Sequence, residues 1–383
     1  MTIRTPLTPA LLRGFEHLET TSRGLRPHRL PGWVTARFPD PQLLSREVQP
    51  SGVRVAMRTE ARHIELVTHP THLAYRGLDR PRGSIDLIVD HQLVASDPLT
   101  GGDVLETDLA TGETALAGGP LHIARFEGLA AGEKLVELWL PHNESIELVE
   151  LRTDAAVSPA PLGARRWLHH GSSISQGSNA TTPARTWPAL AARIGRVELR
   201  NLGFGGSALV DPFMARIIRD TPAEFISVKL GVNVVNADSM RRRAFDPAVH
   251  GFLDTIRDGH PTTPLLVVSP IHCGIHEHTP GPGMFDPDSF GNGQVRFAAS
   301  GRAGDTEQGR LTLTVVRDAL AAIVEQRQDR NLHYLDGTTL YGRADAADHP
   351  LPDALHPDTT THELIATRFA DHAFRVGGPF ATM

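Results

Sequence analysis

The chain has 383 residues, 40% hydrophobic and 21% charged, with a formal net charge of −6. That composition is typical of a globular protein and gives no broad electrostatic attraction to nucleic acid or anionic lipid. The single cysteine, Cys273, excludes an internal disulfide and predicts a reducing, cytoplasmic setting. Residues 1–30 lack the basic start, apolar core and small-residue cleavage site of a secretory signal. No stretch reaches the ~20 apolar residues a membrane helix needs.

Residues 1–45 read as irregular, broken by Pro6, Pro9, Pro27, Pro31, Pro39 and Pro41, with Trp33 and Phe38 docking the segment. From about 50 to 153 the apolar period is two. Val53, Val55 and Met57 alternate with polar residues, as do Ile64 and Leu66, then Ile85, Leu87 and Val89. Leu135–Leu140 and Ile146–Leu151 read as a hairpin closed by Pro141 to Glu144. Short strands punctuated by turn residues predict an N-terminal β-sandwich domain over 1–160. Ala155 to Ala164 has the composition of a linker.

Beyond residue 165 strands and helices alternate. Strands are predicted at Trp167–Leu168, Val197–Leu202, Phe225–Leu230, Leu265–Val268 and Leu332–Leu335. Helices are predicted from Pro183 to Ile194, after the caps Asp211-Pro212 and Asp246-Pro247, and near 309–327 and 360–375. The first of these carries Trp187, Leu190, Ala191 and Ile194 on one face. Such alternation implies a three-layer α/β/α domain over 165–383 with a parallel sheet. Residues 272–308 interrupt it as a long Gly-, Pro- and His-rich connection, read as a lid or rim.

The chemistry gathers at strand ends. The first strand runs into Gly171-Ser172-Ser173-Ile174-Ser175, and a strand ending on Gly delivers Ser173 at the sheet edge where ligands bind. Serine needs a base, and the base needs an acid to hold its tautomer. Asp353 and His356 stand three apart, and Pro357 biases His356 toward an extended backbone. Gly206, closing Asn201 to Gly206, can offer a backbone N–H to an oxyanion; Asn233, in Gly231-Val-Asn, can offer a side-chain amide. Asp336 competes as the acid, and Ser172 or Ser175 as the nucleophile. His272, Cys273, His276 and His278 lack a second matching pair and are read as lid residues, not metal ligands. His169 and His170 are read as packed or hydrogen-bonded.

These four blocks, in this order, resemble the SGNH (or GDSL) serine hydrolase family over about the last 215 residues. The stretch from Arg80 through Asp90 is similar to the leader of an actinobacterial subgroup that includes natural-product acyltransferases. The resemblance implies Ser173 as nucleophile, His356 as base and Asp353 as its orienter, with Ser173 N–H, Gly206 and Asn233 as oxyanion donors. It implies an esterase or O-acyltransferase taking a small-molecule acyl donor and passing the group to water or a hydroxyl, with no metal or organic cofactor. The leading sandwich is similar to carbohydrate-binding modules; sugar binding and a purely structural cap are the two readings of it. A non-catalytic carbohydrate-binding protein is the rival to an enzyme. The family usually has Asp where Ser172 and Val234 stand here.

Overall fold

The computed structural model describes residues 2–109, 111–163, 165–290 and 295–381. Ala164, the last residue of the predicted linker, and 291–294 of the predicted lid lie outside the described residues. The chain divides into two compact units: one of residues 1–162 plus Thr181–Arg185, the other of 163–180 plus 186–383. No helix among the described residues is long and apolar enough to cross a membrane.

The first unit is a β-sandwich of an eight-stranded and a six-stranded sheet. Strands β1 (Arg54–Thr59), β3 (Ser84–Val89) and β4 (Lys134–Trp139) belong to the smaller sheet, β2 (Ile64–Tyr75) and β5 (Ser145–Thr153) to the larger. Alternate residues face inward, so Val55, Met57, Ile85, Leu87, Val136 and Leu138 of one sheet meet Ile64, Leu66, Leu148 and Leu151 of the other. The predicted 135–151 hairpin is therefore wrong. β4 pairs with β1 and β3, β5 pairs with β2, and the turn between them crosses from sheet to sheet. Glu144 anchors that crossing, its buried carboxylate accepting from Arg82 and from the Gly83 N–H.

The proline-rich start is also more ordered than its composition implies. It holds strands at Ile3–Thr5, Leu12–Arg13, His17–Thr20 and Leu25–His28 and helices at Gly32–Arg37 and Pro41–Glu47. Pro41 follows the cap Asp40, whose carboxylate accepts from Leu43 N–H, so that proline starts a helix instead of breaking one. Val34 is the buried anchor here, while Phe38 is 41% exposed. The expected linker contributes a strand, Val157–Pro159, paired with β1. Thr181–Arg185 is held by Asp86, whose buried carboxylate accepts from the Ala184 N–H at 2.8 Å.

The second unit has β6 (Arg166–Gly171), β7 (Glu198–Gly203), β8 (Phe225–Lys229), β9 (Leu265–Val268), a separate hairpin β10 (Gly283–Phe285) and β11 (Phe297–Ala299), and β12 (Leu332–Leu335). The sheet order is β7-β6-β8-β9-β12, all parallel. The chain turns one way from β6 to β7 and the other way to β8, so the β6 end is the topological switch point where such sheets bind ligands. Helices α1 (Ser173–Gln176), α2 (Trp187–Gly195), α3 (Pro212–Asp220), α4 (Val232–Asn236), α5 (Arg242–Gly259), α6 (Leu313–Arg327) and α7 (Thr359–Ala373) cover it. Side chains of β6 alternate between the two helical layers. Trp167 packs on Trp187 and Phe369 of α2 and α7, with ring centroids 6.0 and 5.1 Å away, and His170 faces Phe252 of α5.

Two helix starts differ from expectation. α2 begins only at Trp187, after a short 3-10 turn at Pro183–Arg185, and Ile194 is exposed. α5 begins at Arg242 with Pro247 inside it; Asp246 pairs with Arg242 one turn back instead of capping, and fully buried Phe245 draws the extra turn into the core.

α1 sits directly on the strands because Gly203 has no side chain: a Cβ there would lie 2.5 Å from the Gln176 backbone nitrogen. Gly203→Ala is expected to cost about 1–3 kcal/mol of stability through overpacking. A urea midpoint equal to that of the parent protein would show that α1 can rise off the sheet without penalty.

Candidate active site

Gly171 ends β6, Ser172 caps the next turn, and Ser173 is its first helical residue. Gly171 does not have a left-handed backbone; it is needed because a Cβ would run into the Ser175 side chain. Ser172 C=O accepts from Ser175 and Gln176 N–H at 3.0 and 2.9 Å, and its hydroxyl accepts more weakly from Ile174 N–H at 3.4 Å.

The Ser173 hydroxyl is buried and donates to His356 Nε2 at 2.9 Å. On the far side of the ring, Nδ1–H donates to Asp353 Oδ2 at 2.7 Å. Asp353 Oδ1 accepts from the Leu355 and His356 N–H groups at 2.9 and 2.7 Å, closing a tight turn around Ala354. Ala354 has φ +67, a left-handed conformation that costs a residue with a Cβ about 1 kcal/mol. The Asn179 amide adds a further donor to Asp353 Oδ2 at 3.1 Å. Burial works against the Asp353 carboxylate, but the His356 hydrogen bond and charge and the two N–H groups hold its pKa below the usual range.

The two other predicted donors are tied to the same turn. Gly205 N–H donates to Gln176 Oε1 at 2.8 Å, and Phe204 N–H to Gly171 C=O at 2.9 Å, so the glycine loop leans on α1. Gly206 follows with φ +74, which suits a residue without a Cβ. Among the described residues, neither the Ser173 nor the Gly206 N–H has a hydrogen-bond partner. Asn233 opens α4 beyond β8, and its Oδ1 accepts from Ala208 N–H at 3.1 Å. That bond fixes the amide's sense and leaves its NH2 as the end free to point elsewhere.

Beneath the Ser173 turn runs a buried polar chain. Trp167 Nε1–H donates to Ser227 Oγ at 2.8 Å, Ser227 bonds His169 Nδ1 at 2.7 Å, and His169 Nε2 bonds Ser175 Oγ at 2.8 Å. Burial, with His170 and Lys229 nearby, pushes His169 well below the ordinary imidazole pKa. It is therefore neutral, and its hydrogen bond to Ser175 occupies that hydroxyl with support of the turn. Asn201 braces the same turn, donating to Ser175 C=O and accepting from Gly203 N–H.

The competing acid Asp336 instead caps a short turn, accepting from Thr338 N–H at 2.9 Å. Cys273 Sγ donates to Ala354 C=O, His276 bonds Asn236 and His272 faces Glu277. Among the described residues no cluster of His, Cys, Asp or Glu has the geometry of a metal site. Sequence reasoning missed Asn179, Gln176 and Ser227. For Asn179 a signal was present: it follows Gly177-Ser178 and takes φ +65, a conformation Asn tolerates better than most residues. It missed Phe297 too, whose ring meets His356 edge-on with centroids 5.4 Å apart. The 272–308 connection is thus structured at its strands, with β10 and β11 paired antiparallel.

Two more buried histidines brace the site. His362 on α7 bonds Ser178 C=O at 3.0 Å and accepts from Trp187 N–H, and His170 donates to Leu202 C=O at 2.7 Å. Burial pushes both pKa values down to about 4. The unfolded chain takes up these protons near pH 6.5, whereas the native state resists until about pH 4. Their stabilisation is present in full above pH 6.5 and is lost as pH falls from there toward 4, about 3 kcal/mol for each group. Urea midpoints measured at pH 7, 5.5 and 4 are expected to fall steadily, and less steeply in His362→Gln. A midpoint unchanged over that window would contradict the assignment.

The GDSL-like lipase/acylhydrolase family matches residues 165–277, and the SsfX3 N-terminal domain matches residues 11–149. The salicylyl-acyltransferase SsfX3 from a tetracycline biosynthetic pathway is 27% identical with a TM-score of 0.76, over 96% of this chain and 95% of that one. A protein from Bacteroides ovatus described as a GDSL-like lipase is 19% identical with a TM-score of 0.65, over 96% of both chains. A family two carbohydrate esterase from Clostridium thermocellum shares the fold at 14% identity and a TM-score of 0.54, over 84% of this chain and 91% of that one. No curated protein sequence matches the chain. With a strand-rich leader, a parallel α/β sheet and these matches, the chain carries a GDSL-like lipase/acylhydrolase (SGNH) match over residues 165–277 behind an SsfX3-type N-terminal domain over residues 11–149.

Proposed function

We propose that the protein transfers an acyl group through a covalent acyl-Ser173 intermediate, with the chemistry carried by the second unit. The observation that carries the reading is the line of two hydrogen bonds from Ser173 Oγ through His356 to Asp353, 2.9 and 2.7 Å long. His356 Nε2 takes the proton as Ser173 Oγ attacks the carbonyl carbon of the donor. The resulting oxyanion is met by the Ser173 and Gly206 N–H groups and the Asn233 amide. The imidazolium, stabilised by Asp353, returns the proton to the leaving oxygen or sulfur, and the acyl-enzyme forms. In the second half His356 deprotonates an incoming hydroxyl, which attacks the ester carbonyl and frees Ser173.

That hydroxyl belongs to water in an esterase and to a second small molecule in an O-acyltransferase. The near full-length likeness to a salicylyl-acyltransferase favours transfer over hydrolysis. No step calls for a metal or an organic cofactor.

Ser173→Ala is expected to abolish turnover of p-nitrophenyl acetate and labelling by a fluorophosphonate probe while leaving the circular dichroism spectrum unchanged. Asp353→Asn is expected to retain the label slowly and to lose about 10²-fold or more in kcat, since the acid sets the imidazole tautomer. Full activity in Ser173→Ala would refute the mechanism.

A further inference from the structure

The long connection before α6 is strapped across the catalytic residues at two points. At its base, Gly281 and Gly283 lie so close to Val235 and Asn236 of α4 that neither position has room for a Cβ. At its other strand, Phe297 N–H donates to Asp353 C=O at 2.8 Å. The hairpin therefore joins the helix that begins with Val232 and Asn233 to the turn that carries the acid and the base. Pairing of Phe285 with Phe297 across β10 and β11 puts their rings 5.2 Å apart. Beside them Met284 and Phe285 leave 43% and 36% of their surface exposed.

Its position relative to the imidazole determines which half of the substrate this surface meets. The Phe297 ring meets the His356 ring edge-on, at 76° between planes. His356 Nε2 must come within about 3 Å of the oxygen that leaves and, later, of the hydroxyl that enters. The acyl chain points away from that nitrogen, because its carbonyl carbon is bound to Ser173 and its oxygen to the oxyanion donors. A side chain at the Nε2 edge of the His356 ring thus lies beside the alcohol, not beside the acyl group. An aromatic flank gains by stacking on or covering a flat apolar skeleton, and gains nothing from water.

We propose that Phe297 and Phe285 form the acceptor wall of the site and select a hydroxyl carried on an aromatic or flat apolar framework over water and small alcohols. This rests on the acyl-Ser173 reading and names the substrate class on its second side. Both phenylalanines are specificity determinants. The proton transfers still belong to His356.

Partition of one acyl-enzyme among competing acceptors tests the wall without interference from the donor half. The full-length protein is charged with p-nitrophenyl acetate in an equimolar mixture of 2-phenylethanol and ethanol, and the two acetate esters are quantified by mass spectrometry. The parent protein is expected to favour 2-phenylethanol by about ten-fold or more, and Phe285→Ala and Phe297→Leu to bring the ratio toward one. Because both alcohols compete for the same intermediate, a variant with a slower base still reports a valid ratio. A ratio near one in the parent protein, or an unchanged ratio in both variants, overturns the acceptor wall. So does a variant that leaves this ratio intact but alters preference between p-nitrophenyl acetate and hexanoate, since that would put the rings on the acyl side. The two readings separate at the first step: a p-nitrophenolate burst with a flat partition sinks only the wall, whereas no burst and no label on Ser173 sinks the acyl-enzyme and the wall with it.

Discussion

Close approach of one helical turn to two strand ends is the constraint on which the site depends. Ser173 reaches His356 only because α1 lies flat on β6 and β7, and it lies flat only because positions 171 and 203 carry no Cβ. The rest of the constellation is then hung from that turn by polar contacts. Gln176 draws in the glycine loop through Gly205, and Ala208 of the same loop fixes the Asn233 amide. A shift of 1 Å in α1 would carry the Ser173 hydroxyl and N–H together away from His356 and the other proposed donors. Few hydrophobic contacts could hold such tolerances, because apolar packing is non-directional. Hydrogen bonds of fixed length and angle do so here.

The buried chain from Trp167 through Ser227 and His169 to Ser175 serves the same end from below. A neutral imidazole is suited to that place. It can accept at one nitrogen and donate at the other, so it links two hydroxyls without importing a charge. A charged histidine there would carry a desolvation penalty. His362 repeats the device, accepting from Trp187 N–H and donating to Ser178 C=O, whereas His170 bonds through Nδ1 to Leu202 C=O and its Nε2 has no partner among the described residues. Only His356, of these four histidines, lies between a hydroxyl and a carboxylate, and that pairing is what recommends it as the proposed base.

Much of this was legible in the chain because it is local. Strand ends, the Ser172-Ser173 pair and the three-residue spacing of Asp353 and His356 are short-range features, and parallel topology then forces their ends to one rim. What depends on non-local pairing was not legible. Nothing in residues 135–151 says whether two neighbouring strands share a sheet, and β4 and β5 turn out to face each other across the core. Asp246-Pro247 has the form of a helix start, yet burial of Phe245 outweighs it. Gly171 is required for space, which only the packing of Ser175 against it reveals. Phe297 had no signal at all, since its role comes from a hairpin whose strands are three residues each.

The hydroxyl at Ser172, where the family usually has a carboxylate, fits the same electrostatic logic. The position is completely buried and adjoins the atom that attacks. A carboxylate there would strengthen the cap on Ile174 N–H, since a charged acceptor bonds about twice as strongly as a neutral one. It would also add a second negative charge next to a forming oxyanion, opposing it by about 3 kcal/mol at 5–6 Å and an effective dielectric of 20. Serine gives up part of the cap, reflected in the 3.4 Å contact, and leaves Asp353, on the far side of the imidazole, as the anion in line with the nucleophile. The lost support is recovered from Ser175, Asn201 and Gln176, none of which is charged. With the turn braced by neutral groups, the Ser173 and Gly206 N–H groups proposed to meet the oxyanion are unopposed by a neighbouring carboxylate at position 172.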